Sequence, residues 1–266
     1  MGKREKVEST AAEVERHPAA LLAASVGQVV NGIVHIIIGL IAIGVARGAG
    51  GSADQGGAMR AIDSTPLGSV GLWVAGIAMY ALALHSIAEA VGYWRRDKKE
   101  VVKSVGRAVM YAAVASMAVI YATGGTSDGE ETAKSVSAQL MATTWGSWLL
   151  AIAGVVTFGI GIGMIVTGIR QTFMEHVDVT GKTRRTFGML GTAGYVAKGV
   201  AIGVVGVLFV VAVVTRNPEE AGGLDGALKK LVELPFGVAI LLLVAAGLIM
   251  YGIFCFARAR ALARKR

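Results

Sequence analysis

Five side chains within long apolar stretches could do chemistry: Asn31, His35, His85, Glu89 and Lys198. An ionisable group at membrane depth is costly, so it marks a helix pair, a proton path or a ligand site. Asn31 and His35 are one helical turn apart and share a face, as do His85 and Glu89. Histidine titrates near neutral pH, so a His–Glu pair can hold and pass a proton. The same pair can instead be an interhelical hydrogen bond, averaging well under about 1 kcal/mol in a membrane. Lys198 lies roughly 9 Å inward of the midpoint of its stretch, which leaves about 6 Å of a ~30 Å hydrocarbon core. A lysine stem covers that distance by snorkelling. The alternative is a place in a cavity, where the amine would bind the anionic part of a solute.

Other chemical patterns are weak. Gly159, Gly161 and Gly163 form Gly-x-Gly-x-Gly inside an apolar stretch with no preceding strand, so it is not a nucleotide loop. Gly44/Gly48, Gly159/Gly163 and Gly199/Gly203 are four-residue spacings that favour close helix packing. Gly125-Thr126-Ser127-Asp128-Gly129 matches a nucleophile elbow in letters only, without a strand. The single cysteine, Cys255, cannot form an internal disulfide, and no Cys/His spacing fits zinc. No catalytic residue, metal site or cofactor site is expected, and the protein is read as a non-enzyme.

The elements that must carry these residues follow from composition. The chain has 266 residues, is 54% hydrophobic and only 17% charged, and holds 37 glycines against 4 prolines. Its mean hydropathy is +0.62. A soluble domain carries about 25% charged residues, and abundant apolar surface excludes disorder. Six stretches approach the roughly 20 apolar residues that a span needs: 20–46, 67–93, 104–123, 145–169, 192–215 and 236–257. The third is alanine-rich and carries Arg107, so it is expected to be shielded by protein. No cleaved signal peptide is expected at the polar N-terminus.

The net charge of +8 would suggest nucleic acid in a soluble protein. Here the charges sit at helix ends. The two tails and the 94–107 and 170–190 connections hold nineteen Lys and Arg residues, and the other three connections hold six. Both termini are therefore expected in the cytoplasm of a multi-pass plasma-membrane protein. Arg95-Arg96-Asp97-Lys98-Lys99 and Lys182-Thr183-Arg184-Arg185 could hold anionic lipid headgroups. Each outer connection contains a short patterned stretch (Ala58–Ile62, Val136–Met141, Ala227–Val232), read as an interfacial amphipathic helix.

The chain repeats itself. Gly27, Gly32 and Gly39 correspond to Gly194, Gly199 and Gly206. Thr65-Pro66-Leu67-Gly68 corresponds to Leu234-Pro235-Phe236-Gly237, and Gly76 to Tyr80 corresponds to Gly247 to Tyr251. Gly106, Thr144-Trp145-Gly146 and Gly154 to Phe158 mark a more diverged middle copy. Proline would stop one helix and start the next; Thr144 stands there in the middle copy, so a looser turn is expected. Asn31, Met110 and Lys198 fall at equivalent positions and should form a ring at one depth.

These landmarks, above all Gly194-Tyr195-Val196-Ala197-Lys198-Gly199-Val200, Pro235-Phe236-Gly237 and Gly247-Leu248, resemble the domain of unknown function 1206 family, small six-span membrane proteins mostly from actinobacteria. The resemblance covers about 25–262 and implies fold and topology. It brings no established activity.

The expectation is an all-α polytopic integral membrane protein. It has six transmembrane helices as three parallel hairpin repeats with pseudo-threefold symmetry. The divisions are an N-terminal tail 1–18, repeats 19–94 and 95–173, a linker 174–191, a repeat 192–262 and a basic tail 263–266. Two functions compete. One is a small carrier or channel with an axial polar site (Asn31, His35, His85, Glu89, Lys198) in the inner half of the membrane. The other is a non-transporting module that binds anionic lipid or a partner membrane protein. The expected partners are the lipid bilayer and anionic lipid headgroups at the basic inner loops; the sequence names neither a small solute nor a partner protein, and nucleic acid is not expected.

Overall fold

The computed structural model describes residues 18–94, 97–176 and 181–263. The basic residues of the N-terminal tail, Arg95, Arg96 and Arg264 to Arg266 lie outside the described residues, as do the side chains of Lys99, Lys182 and Thr183. Nine helices cover the described residues. They are α1 (Pro18–Ala46), α2 (Gln55–Asp63), α3 (Gly68–Tyr93), α4 (Lys98–Ala122), α5 (Gly129–Met141), α6 (Thr144–Arg170), α7 (Gly181–Thr215), α8 (Gly223–Glu233) and α9 (Gly237–Ala263). Short 3-10 turns occupy Thr172–His176 and Pro218–Glu220, and no strand occurs among the described residues. Six of the helices, α1, α3, α4, α6, α7 and α9, are long and apolar enough to cross a membrane. The fold is all-α and polytopic, as the sequence predicts.

Each pair of spans in a repeat brackets one short helix, and the turn after it is built the same way three times. A Cβ on Gly68, Gly146 or Gly237 would collide with the carbonyl oxygen of Ile62, Leu140 or Leu231, six residues earlier. Only glycine lets the chain double back so closely. The middle turn, expected to be looser, has the same contact. There Thr143 caps α6 by accepting the Gly146 N–H at 3.0 Å. The glycine, and not the proline before it, is what the turn requires.

The chain forms two compact units, Asp54–Gly129 and the remainder. In the first, α3 packs along α4, and α2 packs on both. In the second, α6 packs along α7, α1 along α9 and α7 on α9, with α8 against α7 and α9. The sequence reading took the two spans of one repeat as nearest neighbours. In the structure the broadest interfaces join the second span of one repeat to the first span of the next. Small side chains explain this, because they let backbones approach. The equivalent residues Gly39, Ala118 and Gly206 each sit in one of these interfaces, against α9, α3 and α6 respectively.

Three further expectations change. The patterned stretches are helical, but Ala58, Met59, Ala227, Leu228 and Leu231 are buried against protein, so α2 and α8 do not offer that face to lipid. Within its own unit the third span is sheltered on one face only. Its alanines Ala108, Ala115 and Ala118 are buried, whereas Val102, Val109 and Met110 are exposed. Of the glycine spacings, Gly199 and Gly203 meet Gly161, while Gly159 and Gly163 have nothing within 4 Å. Gly48 follows the end of α1 with φ +82, a helix terminator and not a packing residue.

Candidate functional site

Tyr251, Cys255 and Arg258 recur at helical spacing, so they share one face of α9. Two other helices aim polar side chains at that face. From α1, the Asn31 amide donates to Cys255 Sγ at 3.5 Å. His35 is 7% exposed and places its ring 4.8 Å from that of Tyr251. Its Nδ1 donates to the Asn31 carbonyl at 2.8 Å, which leaves Nε2 as the free ring position. From α7, the Lys198 ammonium lies 4.5 Å from the centroid of the Tyr251 ring. Tyr195, one turn before Lys198, meets Tyr251 edge to face at 5.5 Å and is hydrogen-bonded by Arg258.

Close backbones make the convergence possible. A methyl on Gly194 would come within 2.6 Å of the Tyr251 Cα, and one on Gly32 within 2.8 Å of the Gly252 carbonyl oxygen. The site is walled by Phe173, Phe187 and Phe254, with Phe173 stacked on Tyr195 at 5.2 Å. Phe187 belongs to α7, whose first turns occupy part of the stretch read as a linker. Counted at about 1.5 Å per residue from the short-helix ends of their spans, Asn31, Lys198, Tyr251 and Cys255 all fall about 20–27 Å deep. In a ~30 Å core that is the far third.

Among the described residues, the charges of the site do not balance. Among the described residues, no carboxylate lies within ion-pair distance of Lys198 or Arg258. A cation over an aromatic ring gains about 2 kcal/mol when desolvated. Removing an ammonium from water costs several kcal/mol. Tyr251 therefore offsets only part of the cost of placing Lys198 there.

Of the five residues singled out from sequence, Asn31, His35 and Lys198 are brought together. His85 and Glu89 belong to the Asp54–Gly129 unit and have other partners. Glu89 accepts from Arg107 at 2.6 Å and lies 3.6 Å from His85 Nε2. Arg107 also donates to Ser104 at 2.9 Å. Arg107 and His85 thus both lie against the Glu89 carboxylate. Met110, the third member of the expected ring, is 65% exposed. The letter-match around Ser127 is a turn: the Tyr121 hydroxyl donates to the Ser127 carbonyl and accepts its N–H.

Sequence reasoning missed Tyr251 as the partner of Lys198, although Tyr251 stood in the repeat landmark, and it missed the Tyr195–Arg258 pair beside it. It also missed a charged chain near the short helices. Asp225 is 1% exposed; it accepts the Ala53 N–H at 2.7 Å and binds Lys229 at 2.7 Å. Lys229 also binds Glu130 at 2.8 Å, Glu130 binds Lys134 at 2.8 Å, and Lys134 reaches Glu219 at 3.3 Å. Burial alone would raise the Glu130 carboxyl, but Lys134 and Lys229 outweigh it and hold the group at about 2. The Glu130 hydrogen bond raises Lys134. Lys229 is raised by Asp225 and Glu130 against the opposing effect of burial. The Asp225/Lys229 pair at four-residue spacing was the readable signal. Among the described residues, no group of three or more His, Cys, Asp or Glu side chains could hold a metal ion.

Comparison with known proteins places this chain in a family. The family model described as Domain of Unknown Function (DUF1206) matches three times, at residues 26–92, 102–171 and 193–261. The chain is also similar to the uncharacterized protein YxxB of Bacillus subtilis (strain 168). The two are 28% identical over 232 residues, 84% of each chain. No solved structure matches the chain. Six spans arranged as three copies of one repeat make this a membrane protein, and the chain belongs to the DUF1206 family.

Proposed function

We propose that the protein is a small carrier or channel of the plasma membrane, with both termini in the cytoplasm. Its polar site is Asn31, His35 and Lys198 against Tyr251, Cys255 and Arg258. The excess of Lys and Arg in the tails and the 94–107 and 170–190 connections supports the orientation. It puts the site in the cytoplasmic half of the bilayer.

One observation carries this reading. Three polar side chains from two first spans converge on one face of α9 at a depth where apolar packing would be less costly. Transport needs such a place, reachable by water from one side at a time. In a Cys255→Ala background, single cysteines at positions 31, 110 and 198 are challenged with a membrane-impermeant thiol reagent. Intact cells and inverted vesicles present the two sides. Labelling at 31 and 198 from the cytoplasmic side alone is the expected result, with position 110 silent. Silence at both site positions from both sides would overturn the carrier reading.

That second outcome favours a non-transporting module that binds anionic lipid or a partner membrane protein. Its support is the exposed pair Arg184 and Arg185 at the start of α7.

A further inference from the structure

We infer that Lys198 and Arg258 form a receptor for an oxyanion, a carboxylate or a phosphate group, which enters along the Arg258 end of α9. This rests on the polar site being reachable, as proposed above, and names what the site takes. Among the described residues, the groups that face Lys198 are the Tyr251 ring, His35 and Cys255, with Tyr195 joined to Arg258 behind them. None is a carboxylate. The Asn31 amide, the tyrosine hydroxyls and Arg258 are proton donors. A set of donors around an uncompensated amine is complementary to an oxyanion and to little else.

Snorkelling does not account for Lys198. Arg258 lies in the last two turns of α9, seven residues or about 10 Å beyond Tyr251. The Lys198 ammonium sits over the Tyr251 ring, on the membrane side of that level. Arg258, nearer the interface, offers the planar fork that engages two oxygens of a carboxylate or phosphate together. It meets the anion first, and Lys198 completes the site. The same chemistry is offered by a soluble anion and by the headgroup of an anionic lipid.

The test uses the whole protein in neutral detergent. Cys255, fully buried and the chain's single cysteine, reports unfolding through a thiol-reactive fluorophore during heating. Acetate, inorganic phosphate, short-chain phosphatidylglycerol and short-chain phosphatidylcholine are titrated at constant ionic strength set with sodium chloride. Any anion that binds the folded state raises the unfolding midpoint in proportion to the logarithm of its excess over Kd. The wild type is expected to respond to anions and not to phosphatidylcholine. A response to acetate or phosphate identifies a soluble ligand; a response to phosphatidylglycerol alone identifies a lipid headgroup. Apparent affinity should fall about tenfold or more in Lys198→Gln and in Arg258→Gln, the loss expected for one charge-assisted contact.

Lys198→Gln removes an uncompensated cation, so it should fold and be at least as stable as wild type without anion. Lys198→Arg keeps the charge and should retain the response. Anion responses equal in wild type and both Gln variants would overturn the inference, as would no response at all. If cysteines at 31 and 198 label from water while no anion acts, the oxyanion receptor fails and the accessible site stands. If neither occurs, both fail.

Discussion

Glu130→Gln should destabilise the protein by about 2 kcal/mol at neutral pH, and the loss should disappear in acid. Glu130 joins two short helices: its carboxylate binds Lys134 on its own helix and Lys229 on α8, each at 2.8 Å. Holding the carboxyl at about 2 against an ordinary 4.5 corresponds to about 3 kcal/mol of folding free energy, at ~1.4 kcal/mol per pH unit. The side chain is 21% exposed, so solvent screens part of this. The retained amide oxygen of glutamine recovers a little more. A carboxyl depressed by folding stabilises the protein above its unfolded value, and the contribution is lost as pH falls through the folded one. The gap between wild type and variant should be full above about pH 5, shrink through pH 3–4 and close near pH 2. On the alkaline side Lys229 is raised, so its contribution is complete below the ordinary lysine value of 10.5 and lost only above it. Thermal unfolding in neutral detergent, followed by the appearance of the Cys255 thiol, measures the gap. It should be roughly 5 °C at pH 7 for a chain of this size. Glu233→Gln is the control: its pair with Lys230 is exposed, and its loss should be near zero. An unchanged midpoint for Glu130→Gln at pH 7, or a gap that persists undiminished at pH 3, would refute the argument. So would an equal loss in the control.

Two more outcomes follow from packing. Gly68→Ala sets a methyl against the Ile62 backbone and should abolish accumulation of folded protein in membranes, whereas Gly71→Ala, with nothing within 4 Å, should be tolerated; quantitative blotting of membrane fractions separates them. Leu228→Ala empties a fully buried position of α8 and should cost about 2–5 kcal/mol, read as an early Cys255 unfolding transition.

What the sequence told and did not tell divides along physical lines. The six spans were legible because a membrane demands about 20 apolar residues in a row, a local property. The repeat was legible because glycine at Gly68, Gly146 and Gly237 answers a steric demand that no other side chain meets. Pairing was not legible. A span's length says nothing about which neighbour it meets, and the small residues that decide it, Gly39, Ala118 and Gly206, read only as generic packing signals. Half of the polar site depended on that pairing. The sequence placed Asn31, His35, His85 and Glu89 in one repeat without naming the helix each side chain meets. Because α1 lies along α9, Asn31 and His35 meet Cys255 and Tyr251. Because α4 lies along α3, Glu89 meets Arg107. The same exchange of partners gives Glu89 a cation and leaves Lys198 with an aromatic ring. A fold that repeats three times could have repeated its ion pairs as well. Instead the position of Lys198 is taken by Asn31 and Met110 in the other copies, so the uncompensated amine belongs to one repeat alone. Architecture is therefore shared among the copies, and the charge on which the proposed site rests is not.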